Sequence, residues 1–510
     1  MKSNIKLSRT LPAIIILAFI FFNACTTEEQ PKQKITDVIL SDKDSYFYVD
    51  TSAYPKERRR LPIGVFDSGT GGLTVLDAIA NFDNYNNLTK SLSSSSDNVR
   101  DFQEEYFIYL GDQANMPYGN YSKENKVDLL KEHIIKDVQF LLDKKYYDSQ
   151  AAASFESDKE PVKAIVVACN TATAYGLEEI REFMSNSGLN LPVIGVIDAG
   201  VKGALSTIGK DENATVGIMA TAGTVSSKGY VKALNYWKEK YGYEADITAF
   251  QQAGIGLAGA IDGAANYINK NAELLREDYK GPAVNNSEAQ IDITILDRYD
   301  FNRNGNELLT KGDKSDMEDI QINSVQNYIK YHVVSLLEKI RKSETNNKLT
   351  SIILGCTHYP YYINDFKAEF NRLYNYKENG KNVYRNFMNE DIDFIDPAVN
   401  TSKELFEYLA EEELFNNSDI SKSEFYISAA NKHNKNNILD SAGLFPYEYK
   451  YGRNAGFIQE YVRRLPFSKQ SIDDEIAKRL EESIPFTFSL IREFNRSNKK
   501  MNFLKENEKL

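Results

Sequence analysis

Three cysteines occur in 510 residues, and two of them share a setting. Cys169 lies in Val-Val-Ala-Cys-Asn-Thr-Ala-Thr (166–173), and Cys356 lies in Ile-Leu-Gly-Cys-Thr-His-Tyr-Pro (353–360). Each thiol follows a short apolar run and precedes small hydroxyl or amide residues. A thiolate is the reactive form of cysteine, and backbone N–H groups, a helix N-terminus or a nearby histidine help it form. Two such thiols in matching contexts suggest an acid/base pair facing one substrate.

Three further stretches could meet a small anionic ligand. Ile63-Gly-Val-Phe-Asp67-Ser68-Gly69-Thr-Gly71-Gly72 is an apolar strand running into a Gly-rich turn and then a helix. That turn brings backbone N–H groups to an anion, and Asp67 and Ser68 stand where the strand ends. It is neither a dinucleotide G-x-G-x-x-G pattern nor a Walker loop, because no Lys-Ser/Thr follows. Tyr109-Leu-Gly-Asp112-Gln-Ala-Asn-Met-Pro117-Tyr118-Gly119 closes a second strand with a Pro/Gly turn, and Ala220-Thr221-Ala-Gly223-Thr224-Val-Ser226 follows a third. The remaining histidines, 133, 332 and 433, are scattered. They form no metal-ligand spacing.

Elements that could position these residues alternate along the chain. Strand-like apolar runs occupy 62–66, 106–110, 163–168, 192–197, 214–219 and 351–355, and helix-like segments include 73–81, 123–143, 174–185 and 325–341. Strands alternating with helices predict parallel sheets in an α/β layered fold. Ligands in such folds bind in loops beyond the carboxyl ends of strands, where all the motifs above fall. Net charge is −12. That argues against nucleic acid as a partner, since phosphate binding needs clustered Lys and Arg.

The N-terminus reads as a targeting segment. Lys2, Lys6 and Arg9 precede an uncharged apolar run from Leu11 to Phe22, too short to span a bilayer and suited to a signal peptide. Phe22-Asn23-Ala24-Cys25 resembles a bacterial lipobox. The expectation is a signal peptide over 1–24, lipidation at Cys25, a polar tether over 25–60, and a lipid-anchored protein of the cell envelope facing the periplasm. Residues 84–103 and 146–160 read as surface loops.

FDSGTGGLTV, YLGDQANMPYG, ACNTATA, PVIGVI, ATAGTVSS and LGCTHYP, in this order, together resemble the glutamate racemases of the cofactor-independent aspartate/glutamate racemase superfamily. FIDPA (394–398) resembles a late strand of that family. The resemblance implies two similar flavodoxin-like three-layer α/β domains with parallel sheets, facing an interdomain cleft to which each contributes one cysteine. It implies a first domain over 61–195, with 357–402 returning to it. The second domain would be 196–356, carrying an insertion over 265–348, and 403–510 would be a mostly helical extension.

The same resemblance implies interconversion of L- and D-glutamate without a cofactor, linked to peptidoglycan D-glutamate supply or turnover. Cys169 would serve the D-enantiomer and Cys356 the L-enantiomer, with Asp67 and His358 assisting. Substrate would be held by Ser68, Pro117, Tyr118, Gly119, Asn170, Thr171 and Thr357, with Thr221 and Thr224 supporting the second domain's loop. A homodimer is a further expectation.

The chain departs from the family pattern in places. Asp198-Ala-Gly200 stands where the family has Glu-Pro-Gly. The family's Cys-Pro before its second-domain acidic residue is absent from 248–263, where Asp262 is the candidate acid. These departures and the apparent export keep two other readings open: a racemase for aspartate or another acidic compound, and an envelope binding lipoprotein on an inactive racemase scaffold.

Overall fold

The computed structural model describes residues 32–93, 96–312, 317–343 and 345–510. The stretch read as a signal peptide, the lipobox-like residues and Cys25 lie outside the described residues.

Two sheets carry the molecule. The first has six strands in the spatial order Val462–Pro466, Glu424–Ala430, Phe107–Gly111, Ile63–Asp67, Ala164–Val167, Val193–Gly195. All neighbours are parallel except the outermost pair, Glu424–Ala430 with Val462–Pro466. The second sheet is fully parallel, in the order Met388–Ile395, Leu349–Gly355, Ala214–Ala220, Ile247–Ala253. Helices cover both sheets, as buried parallel sheets require, so the α/β architecture with mostly parallel sheets is observed. Among the described residues no helix is long and apolar enough to cross a membrane.

Sequence explains the layering. In Leu349–Gly355, side chains alternate between faces. Ile352 and Leu354 pack with Tyr328, Val333 and Leu336 on one side. Ile353 packs with Val216, Ile218 and Trp237 on the other. Helix Val196–Ser206 joins the two halves, touching strand Val193–Gly195 of the first sheet and strand Leu349–Gly355 of the second.

Three domain expectations differ from the structure. The segment 25–60 is not a tether throughout, because the chain is folded from the start of helix Ile35–Ser41. Ile35, Val38 and Ile39 fall at helical spacing on one stripe and bury it in the first core, against helix Val127–Leu142. Tyr54 adds a hydrogen bond from its hydroxyl to the Val162 carbonyl at 2.5 Å.

Residues 357–402 do not return to the first sheet either. Strand Met388–Ile395 pairs with Leu349–Gly355, matching Phe394 with Ile352, and so completes the second sheet. The return is made by helix Pro397–Glu411, packed on helices Val196–Ser206 and Leu73–Ala80, and then by strand Glu424–Ala430.

Nor is 403–510 mostly a helical appendage, since two of its strands extend the first sheet. The apolar core of Glu-Phe-Tyr-Ile-Ser-Ala-Ala covers the edge that Phe107–Gly111 would otherwise leave open, and unpaired edges invite association. Within 265–348, a hairpin pairs Leu308–Lys311 with Asp319–Ile322. Helix Val325–Lys342 belongs to the second domain's packed layer.

Candidate active site

The motif residues converge at the carboxyl ends of the central strands. Asp67 is the last residue of its strand. The chain turns back at once, and the Gly69 and Gly72 N–H groups donate to Asp67 Oδ2 at 3.1 and 3.0 Å. Gly72 has to be glycine: a Cβ there would lie 2.3 Å from Asp67 Cβ and 3.1 Å from Ala168 Cβ. Tyr109, one strand over, donates its hydroxyl to the Gly69 carbonyl at 2.6 Å and fixes the loop from below. Burial pushes the Asp67 carboxyl up, against the lowering effect of the Gly72 and Gly69 N–H groups and of Cys169.

Cys169 is the N-cap of helix Asn170–Asn186. Its sulfur accepts from the Ala172 N–H at 3.4 Å and lies 3.7 Å from Ser68 Oγ. Burial first, and the Asp67 carboxylate second, push its thiol up to about 12. Without a ligand it is therefore a thiol. Once ionised it would be a strong base.

Cys356 follows its strand directly and is buried. His358 Nδ1 lies 3.6 Å from its sulfur, and His358 Nε2 lies 3.2 Å from Asp262 Oδ1. Burial opposes charge on His358, but Asp262 and Cys356 outweigh it and push the imidazole up to about 10. Burial likewise acts to raise Asp262, and His358 and Arg479 outweigh it, leaving the carboxyl below its ordinary value. His358 is thus an imidazolium at neutral pH, placed to stabilise negative charge developing on the sulfur 3.6 Å away. Asp262, found in sequence from its position alone, stands in contact with a motif residue.

The two halves meet closely. Tyr230, from the second domain, donates to Asn170 Oδ1 at 2.8 Å. A Cβ on Gly71 would lie 3.6 Å from both Asp67 Oδ2 and Thr357 Oγ1. A Cβ on Gly223 would lie 3.1 Å from the Gly119 Cα, so the Pro-Tyr-Gly turn and the Thr221 loop touch glycine to glycine. Thr221 caps its helix by accepting from the Thr224 N–H at 3.4 Å. A cavity of about 150 Å³ opens between the halves beside Cys356, lined also by Asp77, Ala168, Asn170, Thr357, Tyr361 and Asp396; Cys169 does not line it.

Not every motif side chain faces the cleft. The Tyr118 hydroxyl lies 2.6 Å from Asp112 Oδ2 and 2.7 Å from Asp137 Oδ2, in the buried core. It has a single proton to give, and Asp137 is pushed up by burial and by Asp112, against the Arg464 guanidinium beside it. What Pro117, Tyr118 and Gly119 can offer a ligand is therefore backbone. Thr171 is buried in the first turn of the Cys169 helix. Asp198 pairs with Arg181 at 2.9 Å. The other histidines do structural work: His332, for example, sits between Gln252 and the Ile255 carbonyl, with burial pulling it down to about 3. Among the described residues no group of three or more His, Cys, Asp or Glu is arranged to hold a metal ion.

Sequence reasoning missed Tyr230 and Arg479. Arg479, in helix Asp474–Ser483, reaches Asp262 Oδ1 at 3.4 Å and donates to Thr70 Oγ1 at 3.4 Å. Its sequence, Asp-Glu-Ile-Ala-Lys-Arg-Leu-Glu-Glu, reads as a solvated helix and carries no signal of a site.

Comparison with known proteins finds similarity to racemases. Residues 139–280 match the family model described as Asp/Glu/Hydantoin racemase. The chain is 36% identical to the glutamate racemase of Aquifex pyrophilus over 174 residues, 34% of this chain and 50% of that one. It is 25% identical to the glutamate racemase of Deinococcus radiodurans over 335 residues, 66% of this chain and 76% of that one. The crystal structure of a glutamate racemase isoform from Bacillus anthracis aligns at TM-score 0.42 and 22% identity, covering 72% of this chain and 88% of that one. The chain spans about half the length of the first curated relatives it matches.

Proposed function

We propose that this chain, a relative of the glutamate racemases, interconverts L- and D-glutamate by moving protons at Cα between Cys169 and Cys356, without a cofactor. The observation that carries the reading is a pair of buried free thiols, one just beyond the carboxyl end of a strand in each sheet, each with its own polar partner: Asp67 for Cys169 and the Asp262–His358 pair for Cys356.

A racemase needs a proton acceptor on one face of Cα and a donor on the other, with the roles exchanged in the reverse direction. A thiol pushed up to about 12 holds its proton until a stronger base such as a carbanion meets it, and is a strong base when ionised. A thiolate beside an imidazolium is a poised acceptor. Starting from Cys356 as thiolate and Cys169 as thiol, Cys356 takes the Cα proton of the L-enantiomer. The carbanion is held by hydrogen-bond donors at its carboxylate, and Cys169 delivers its proton to the other face. The product is the D-enantiomer, with the protonation states of the two sulfurs exchanged.

Donors aimed at developing charge supply much of the barrier lowering in such sites. Ser68, Asn170 and Thr357 and the backbone N–H groups of Tyr118 and Gly119 are the groups available for this role. The proposal extends to location: with Cys25 lipidated, the enzyme would act on acidic amino acids in the cell envelope and serve peptidoglycan D-glutamate turnover.

The test is Cα proton exchange. Reduced protein is incubated with L- and D-glutamate in D2O and followed by NMR and by circular dichroism. Deuterium uptake with loss of optical activity, abolished by Cys169→Ala and by Cys356→Ala, is the expected result. Exchange with aspartate but not glutamate would move the substrate, and exchange with no acidic amino acid would sink the enzyme reading.

A further inference from the structure

Asp67 and Asp262 are held in different ways. Asp67 is fixed by two backbone N–H groups of its own turn. Asp262 ends the short helix Leu257–Ile261 and is followed by Gly263 with φ +72°. The partners of its carboxylate are side chains: His358 Nε2 at 3.2 Å and Arg479 Nη1 at 3.4 Å. Its aim at His358 is therefore not set by its own element. Arg479 comes from the C-terminal segment, which has no counterpart among the sequence motifs. Its other guanidinium nitrogen donates to Thr70 Oγ1 at 3.4 Å. Thr70 is buried and lies in the turn between Asp67 and Gly72. One guanidinium thus joins the turn beside the first thiol to the acid behind the second.

The helix that carries Arg479 is itself anchored. Glu481 pairs with Arg492 on the next helix at 2.8 Å. That helix fixes Thr487 to Asp77 through its N–H at 3.2 Å and its hydroxyl at 2.8 Å. Asp77 is on helix Leu73–Ala80, which begins at the Gly-rich turn. A planar guanidinium with five donors can serve two acceptors in a fixed geometry, which an ammonium cannot copy fully. We propose that Arg479 is a positioning residue for the proposed racemisation. It would hold Asp262 against His358 and tie that pair to the Gly-rich turn across the cleft. This proposal rests on the racemase reading for its kinetic consequence but not for its structural one.

The experiment uses the full chain with Arg479→Met and Arg479→Lys, each in the native and the Asp262→Asn background, with melting curves to set aside misfolded variants. Arg479→Met is expected to lower kcat for glutamate on the order of tenfold while KM changes less than about twofold, the pattern of a lost transition-state alignment. Arg479→Lys is expected to recover part of the loss. In the Asp262→Asn background, Arg479→Met is expected to cost much less than in the native chain, because only its Thr70 contact remains to be lost.

The second arm needs no turnover. His358 is one of four histidines, and its ring signals are identified by their loss in His358→Asn. Removing a cation from beside a carboxylate that stays in place would raise the His358 titration midpoint; releasing the carboxylate lowers it. A fall in Arg479→Met supports the proposal. An unchanged or raised midpoint, or full additivity with Asp262→Asn, overturns it. Absence of racemisation in the native chain would sink the racemase reading alone and leave the titration to decide the role of Arg479.

Discussion

Replacing Gly72 by alanine tests whether the placement of Asp67 matters. The new methyl carbon would stand 2.3 Å from Asp67 Cβ, 3.0 Å from Asp67 Cγ and 3.1 Å from Ala168 Cβ, where ordinary contact begins near 3.4 Å. The worst of these overlaps is about 1.1 Å. It has little room to relax: Asp67 is the end of a central strand in register with Gly111, and its carboxylate accepts from the N–H of residue 72 itself. Either the turn lifts or the carboxylate rotates away from Cys169. Overpacking of this kind costs about 1–3 kcal/mol of stability. A displacement near 1 Å at a reacting group costs about 100-fold in rate. The assay is loss of L-glutamate ellipticity against time, with a melting curve on the same sample. Gly452→Ala is the control, since nothing lies within 4 Å of its Cβ, and it should match the native chain in both measurements. A Gly72→Ala protein that melts normally and racemises within about threefold of the native rate would refute the claim that Asp67 acts from this position.

Three other outcomes follow from the same geometry. The His358 imidazole is raised from 6.5 to about 10, so the stability it contributes is complete below 6.5 and is lost as pH rises through about 10. Asp262 is lowered, so its contribution is present above the ordinary carboxylate value of 3.8 and is lost as pH falls through its lower folded value. The melting-temperature gap between the native chain and Asp262→Asn should hold between these limits and shrink toward pH 10; a gap that is flat through that range would contradict the ion pair. Gly223→Ala would place a methyl 3.1 Å from the Gly119 backbone and wedge the two halves apart; KM for glutamate should rise more than kcat falls, and an unchanged KM would show that this contact does not shape the closed cleft. A chain ended at residue 412 would strip strand Glu424–Ala430 from Phe107–Gly111 and expose the sheet edge; it should be recovered as aggregate, and a soluble monodisperse product in size-exclusion chromatography would show the extension to be dispensable.

Local signals carried most of the site into view before the structure. Each motif is a short apolar strand followed by a turn with its own chemistry, so Asp67, Cys169, Thr221 and Cys356 could all be placed at strand ends from sequence spacing. Pairing partners were not readable in the same way. Phe-Ile-Asp-Pro-Ala ends a strand wherever it goes, and nothing local decides between two parallel sheets; burial beside Ile352 decides it. Val-Arg-Arg-Leu-Pro reads as a charged surface stretch, yet Arg464 is buried beside Asp137 at 3.3 Å. A charge paired in the interior looks in sequence like a charge in water. Helix Ile35–Ser41 was hidden for a related reason: its apolar stripe is brief and flanked by polar residues, and only the groove over helix Val127–Leu142 makes it a core element.

The C-terminal segment touches the site at points of unequal strength, and the inequality bears on how substrate enters. Lys450 donates to the Met116 carbonyl at 2.6 Å, and Tyr451 donates to the Pro117 carbonyl at 3.2 Å, bracing the Pro-Tyr-Gly turn from behind. Strand Glu424–Ala430 holds that same segment to the first sheet through a continuous parallel ladder and buried Phe425, Tyr426 and Ile427. A fully buried Phe or Ile side chain is worth about 1.5–3 kcal/mol, so this attachment does not come undone during a catalytic cycle. Arg479 is 41% exposed and makes two contacts at 3.4 Å. Ion pairs as exposed as this are worth about 0–1 kcal/mol. The bracing of the turn therefore persists, and helix Asp474–Ser483 stays docked through buried Leu480, while the Arg479 side chain itself can let go at little cost. In a cleft with glycines in contact at residues 119 and 223, the contact most easily given up is that of the Arg479 side chain, with its helix left in place.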